Sequence, residues 1–203
     1  MEYLTKLFGS PARVKLLRLF LFNPERVYDR DGTVATTRVS PLTASKELTA
    51  LARAGVLKRK IFYKTVAPSG AKAPKKRKAM GWSLDSKYPH VIPLTRFLRD
   101  TLSITDADIR SRLRGAGAVH LLVLSGFLIG QKESALDMLV VGNKLDEEFI
   151  QTAVRAFEAE CGQEIRYAVL TTEDYQYRRR VRDKLVRDVM DYPHTVLVDR
   201  VSV

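Results

Sequence analysis

The chain has 203 residues, 45% of them hydrophobic, a single cysteine and a net charge of +12. That length and apolar content suit one or two globular domains, and the lone Cys161 excludes an internal disulfide and fits a reducing, cytoplasmic setting. No apolar run approaches the roughly 18 residues of a spanning helix and no signal-peptide pattern opens the chain, so no membrane partner is expected.

The charge is unevenly spread. Residues 1–85 hold 18 Lys and Arg against 6 Asp and Glu, whereas residues 86–203 hold 17 of each. Clustered cations gain by displacing counterions from phosphates, so the N-terminal half predicts a polyanionic partner. His90, His120 and His194 are scattered without metal-ligand spacing, and no metal or other cofactor is expected.

Leu4 and Phe8 predict a helical turn packed on a following helix, which Ser10 caps, Pro11 starts and Asn23-Pro24 ends. Val14, Leu17, Phe20 and Leu21 form its buried stripe, with Arg13, Lys15 and Arg18 on the wet side. The stretch Y-D-R-D-G-T-V-A-T-T-R-V-S (Tyr28–Ser40) predicts a short helix and a turn. Gly32 lies inside that helix, where one glycine costs about 1 kcal/mol. Pro41–Ala54 is a second helix, capped by Ser40 and stopped at Gly55. Ala44, Leu48 and Leu51 fall on one side of it, while Thr43, Lys46, Ala50 and Arg53 face away. Strands follow at Leu57–Val66 and Met80–Leu84, with Trp82 expected in the core. Between them A-P-S-G-A-K-A-P-K-K-R-K-A carries Lys72, Lys75, Lys76, Arg77 and Lys78, and its composition predicts a long mobile tip.

Helix, turn, helix and a hairpin with a basic tip is the layout of a winged helix-turn-helix. The stretch resembles the winged-helix domains of MarR- and ArsR-type bacterial and archaeal regulators. The resemblance implies double-stranded DNA as the partner. Lys46, Thr49 and Arg53 would read the groove, with Thr43 near the helix N-terminus, and Lys72, Lys75, Lys76, Arg77 and Lys78 would follow the backbone. Helix-hairpin modules also serve in protein contacts, which is the competing use.

Residues 89–103 predict a connecting helix whose Val91, Ile92, Leu94, Phe97, Leu98 and Leu102 close the first domain or form a homodimer seam. Asp106–Leu113 is a further helix, ended by Gly115 and Gly117. Then come a strand at Val119–Leu124, a strand at Met138–Val141 and a helix at Leu145–Cys161. A strand at Ile165–Leu170, a cap at Thr172, a helix at Tyr175–Val189 and a strand at Thr195–Val201 complete the chain. In the last helix Tyr177, Val181, Leu185 and Val189 are expected inward, leaving Arg178, Arg179, Arg182 and Arg187 outside. The pattern predicts an α+β protein: a winged helix-turn-helix at 1–88, the connecting helix at 89–103, and a small α/β domain with a mixed sheet at 104–203.

The segment V-L-S-G-F-L-I-G-Q-K-E-S-A-L-D-M-L-V-V-G (Val123–Gly142) resembles the core of the nucleotidyltransferase superfamily. Active members read G-S-x-x-x-G and then two carboxylates two residues apart, the turn holding the triphosphate and the carboxylates a divalent metal. Here Ser125-Gly126 stands for Gly-Ser, Gly130 is retained, and Ala135 occupies the first carboxylate position, leaving Asp137. Glu133 has the wrong strand parity to replace it, and Arg166–Leu170 offers no third carboxylate. The resemblance therefore implies a catalytically degenerate domain, not an enzyme, with a nucleotide or a protein as its ligand. The function expected is a cytoplasmic DNA-binding transcriptional regulator. Two competitors stand beside it: an active nucleotidyltransferase of antitoxin type, and a basic adaptor docking a nucleic-acid-containing complex.

Overall fold

The computed structural model describes residues 2–66, 75–102, 104–131 and 134–201. The chain divides into two compact units, Met1–Leu102 with Glu158–Gln163, and Ser103–Phe157 with Glu164–Val203. It is an α+β protein, with helices and a two-stranded hairpin in the first unit and a mixed four-stranded sheet with helices in the second.

The first unit runs α1 (Glu2–Phe8), α2 (Pro11–Phe22), α3 (Arg30–Thr37), α4 (Pro41–Arg53), β1 (Leu57–Val66), β2 (Lys75–Leu84) and α5 (Val91–Asp100). Helix starts follow side-chain caps: Ser10 accepts from the Arg13 N–H, Asp29 from Gly32 and Ser40 from Thr43. Pro11 and Pro41 sit in the first turn of α2 and α4, where no intrahelical donor is lost. Leu16, Leu19 and Phe20 of α2 are buried with Ala44, Leu48 and Leu51 of α4 and with Leu98 of α5. Each such large side chain withdrawn from water contributes about 1.5–3 kcal/mol.

Two expectations for this unit need correction. Arg18 is not on a wet face; it is 1% exposed. Helix α2 is covered on nearly every side, so Leu16 and Leu19 are buried beside the expected stripe. The Arg18 guanidinium survives burial by donating to the carbonyls of Thr101 (3.2 Å) and Glu160 (3.0 Å). Desolvation lowers its pKa from the ordinary arginine value.

The second correction concerns the hairpin. Strand β2 starts at Lys75, not Met80, and pairs antiparallel with β1 from Leu57↔Leu84 out to Val66↔Lys75. Lys75, Lys76, Arg77 and Lys78 therefore lie on a strand and not on a mobile tip. Cross-strand backbone hydrogen bonds outweigh the weak strand preference of lysine, and β-forming Tyr63 and Thr65 stand opposite Lys78 and Lys76. At the base Tyr28 adds a bridge to Trp82, each N–H donating to the other's carbonyl at 3.0 and 2.8 Å. Gly81 permits this approach, since a Cβ there would sit 2.6 Å from the Tyr28 carbonyl oxygen. Trp82 itself is only partly buried against the core, with the Arg59 guanidinium 5.8 Å from its ring centre.

The second unit contains α6 (Asp106–Leu113), β3 (Ala118–Ser125), a 3-10 turn (Gly126–Ile129), β4 (Met138–Asn143) and most of α7 (Glu147–Cys161), whose residues from Glu158 on belong to the first unit. It continues with β5 (Tyr167–Thr171), α8 (Thr172–Arg180), α9 (Lys184–Asp191) and β6 (His194–Asp199). The sheet order is β5-β4-β3-β6, with β3 antiparallel to both β4 and β6 and β4 parallel to β5. One face of β3 and β4, carrying Leu121, Val123, Leu139 and Val141, packs with Tyr175, Val186 and Val189. Leu122 and Val140, on the alternate face, are buried too. Burial on both faces explains why these strands read as unbroken apolar runs.

The expected helix Tyr175–Val189 is two helices. Thr171, not Thr172, caps α8 by accepting from the Asp174 N–H at 3.1 Å. Arg182 then turns left-handed at φ +54°, and Asp183 caps α9 by accepting from Leu185 and Val186. The break rotates the apolar register. Val186 and Val189 are buried, while Tyr177 and Val181, expected inward, are 60% and 54% exposed. Among the described residues, no helix is long and apolar enough to cross a membrane.

Candidate nucleic-acid interface

On α4 the inner and outer faces separate cleanly. Ala44, Leu48 and Leu51 are buried, and Lys46, Thr49 and Arg53 are exposed at i, i+3 and i+7, a single outward stripe. Thr43 is half-buried at the first turn, its hydroxyl 2.8 Å from that of Ser40. The Thr49 hydroxyl donates to the Ser45 carbonyl at 2.9 Å, leaving its oxygen free to accept.

Glu47 was not singled out in the sequence, yet it anchors this helix. It is 4% exposed and accepts from the Arg13 Nε at 2.8 Å, tying α4 to α2. Its position between Ala44 and Leu51 on the apolar stripe was the available signal.

The hairpin cations divide by strand alternation. Lys76 and Lys78 share one face with Arg59, while Lys75 and Arg77 share the other with Lys58, Lys60 and Lys64. Lys75, Lys76, Arg77 and Lys78 are all exposed. Lys58 pairs with Asp85 at 3.3 Å, and Lys64 pairs with Asp29. Lys72 lies outside the described residues, as does Glu133. Exposed apolar side chains, Ile61, Tyr63 and Met80, sit on the Arg59 face.

Asp29 links α3 to the hairpin, since one carboxylate caps α3 and pairs with Lys64 of β1. Partial burial pushes its pKa up, but the Lys64 ammonium and the Gly32 N–H outweigh that and hold it below the ordinary carboxylate value. Its contribution to stability is present above the unfolded carboxyl pKa of about 3.9 and is lost as pH falls through the lower folded value. Asp29→Asn, which keeps a capping oxygen but not the charge, should flatten the fall in melting temperature below about pH 4. An acid limb identical to wild type would show that the carboxylate does not contribute.

In the second unit the structure brings Ser125, Gly126 and Asp137 together, with Gly130 closing the 3-10 turn at φ +75°. Asp137 is 1% exposed and lies just before β4, as does Ala135. Four donors hold its carboxylate. Oδ1 accepts from the Phe127 N–H (2.9 Å) and Arg166 Nη2 (3.1 Å), and Oδ2 from the Arg166 N–H (2.9 Å) and Nε (3.0 Å). The ion pair raises the Arg166 pKa. Gly126 makes room for it: its φ is +53°, and a Cβ there would lie 2.4 Å from Asp137 Oδ1. Ser125 is buried and donates to the Leu136 carbonyl at 2.6 Å.

These residues do not fit a catalytic divalent cation, because the carboxylate that would ligate it is already bound by a guanidinium and two backbone N–H groups. The neighbouring cleft, about 360 Å³, is lined among the described residues by Gln131, Ser134, Ala135, Asp188, Tyr192 and Pro193. Among the described residues, no group of three or more His, Cys, Asp or Glu could hold a metal ion. No protein-family model, curated protein or solved structure matches the chain.

Proposed function

We propose that the chain is a cytoplasmic DNA-binding transcriptional regulator that uses its first unit as a winged helix. In this reading α4 enters the major groove and the β1–β2 hairpin follows the phosphate backbone. The observation that carries it is the outward stripe of Lys46, Thr49 and Arg53 in the same unit as a two-stranded ribbon bearing four consecutive exposed cations. Residues 1–85 also hold the whole positive excess of the sequence. The groove helix supplies side chains that reach base edges, and the ribbon supplies charge that carries no sequence information.

The second unit is read as a nucleotidyltransferase-like domain without catalysis. The engagement of Asp137 by Arg166 supports this, as does Ala135 at the other carboxylate position. Incubation with labelled nucleoside triphosphates and Mg²⁺ or Mn²⁺ should leave no label on the protein or on small acceptors. Labelling that disappears in Asp137→Asn would restore the enzyme reading.

The test of DNA reading is an anisotropy titration of the full chain on duplexes enriched by selection and on random duplexes. Lys46→Ala and Arg53→Ala should shrink the gap between the two by about 1–3 kcal/mol wherever the replaced side chain reached a base edge. Full discrimination in both variants would remove α4 as the reading helix. The basic adaptor would then take first place, a reading that the exposed Ile61, Tyr63 and Met80 beside the ribbon cations support.

A further inference from the structure

The break between α8 and α9 gathers charge that a continuous helix would spread along its length. Arg178, Arg179, Arg182 and Arg187 line one cleft of about 390 Å³ whose apolar wall is Val186 and Met190. Arg178 is held in place by Asp174 at 2.9 Å, with Asp183 at 3.8 Å. Arg187 stands 3.7 Å from Asp188. Arg179 and Arg182 make no ion pair among the described residues. Arg182 is also the elbow itself, at φ +54°, a conformation that a side-chain-bearing residue adopts at a cost and that often marks a functional position. Planar guanidinium groups converging on one concavity suit phosphoryl oxygens, which accept their paired N–H donors.

We propose that this cleft binds a small oligophosphate of the nucleoside di- or triphosphate class. Arg179 and Arg182 grip the phosphoryl oxygens, Arg178 and Arg187 flank them, and Val186 and Met190 contact the apolar face of the base or ribose. The cleft falls in the size range of small-ligand sites, about 300–1,000 Å³. Two features favour a small ligand over the backbone of a nucleic acid. Residues 86–203 have no net charge to attract a long polyanion, and the arginines converge on one concavity. The site is separate from the Ser125–Gly126 turn and does not depend on the DNA-binding reading.

The test is calorimetric titration of the full chain with ATP and with pyrophosphate, in the absence of divalent metal. One saturable site is expected, with ATP bound more tightly than pyrophosphate because only ATP reaches Val186 and Met190. Arg179→Gln and Arg182→Gly should each weaken ATP by about tenfold, the effect of removing one charge-assisted hydrogen bond. Glycine suits the left-handed position, so Arg182→Gly removes the charge while keeping the elbow, which an unchanged far-UV spectrum checks. Wild-type affinity in both variants overturns the proposal, as does the absence of saturable binding. Duplex DNA that displaces ATP in wild type, with both ligands failing to bind Arg179→Gln, would reassign the arginines to a phosphodiester backbone and also overturn it.

Discussion

Asp137→Ala should destabilise the second unit by about 3 kcal/mol or more, the usual cost of breaking a buried ion pair from one side. The carboxylate is 1% exposed, and its removal strands the N–H groups of Phe127 and Arg166 that donate to it at 2.9 Å. The Arg166 side chain is half exposed, so its guanidinium can turn to water, which puts the cost at the lower end of the range for buried pairs. Asp137→Asn should lose less, about 1–3 kcal/mol, because the amide keeps the shape but turns donors toward the guanidinium. Hydrogen exchange at the β3 and β4 amides reads the effect locally. A carboxylate retained for metal chemistry behaves differently: such groups are held at some cost to the fold, and their removal is often neutral or stabilising. Unchanged or slower exchange in Asp137→Ala would therefore sink the structural role assigned to this pair.

On the DNA-binding reading, replacing Lys75, Lys76, Arg77 and Lys78 by Ala should weaken specific and random duplexes alike. The slope of log K against log salt flattens by about 0.9 for every phosphate that the protein no longer neutralises. The ribbon geometry sharpens that expectation. Lys76 and Lys78 lie on one face and Lys75 and Arg77 on the other, so a backbone running along one face meets one pair. The quadruple variant should flatten the slope by about 1.8, not the roughly 3.6 of four equivalent phosphate pairings. The two double variants should be unequal, one carrying most of the effect. Titrations at several salt concentrations separate these outcomes. Equal halves would mean that the ribbon lies edge-on in a groove, and full affinity in the quadruple variant would leave these cations merely solvated.

What the sequence determined by itself is the set of elements whose signals are local. Ser10-Pro11 and Ser40-Pro41 mark the starts of α2 and α4 because cap and first-turn chemistry involve only residues three apart. Asp106–Leu113 was legible with Gly115 and Gly117 ending it, and the structure adds a reciprocal cap of Thr105 and Asp108 at its start. The outward stripe of α4 followed from helical period alone, and β3 and β4 were legible as strands from their apolar runs, while their burial on both faces came from the fold.

Tertiary structure decided everything that needed a distant partner. Arg18 has the spacing of a solvent-facing residue, and only carbonyls about 80 and 140 positions away make its burial tolerable. Lys75–Lys78 have the composition of a loop and become a strand because β1 supplies the opposing ladder. The helix expected through Tyr175–Val189 breaks at Arg182, where capping by Asp183 lets Val186 and Val189 reach the sheet and gathers the arginines into one cleft. Asp137 was expected from a sequence resemblance to be the remaining carboxylate of a degenerate site, and only the fold shows that Arg166, 29 residues on, occupies both its oxygens. A short motif records which residue types are present; which donors reach them is set by the packing of strands that the motif does not contain.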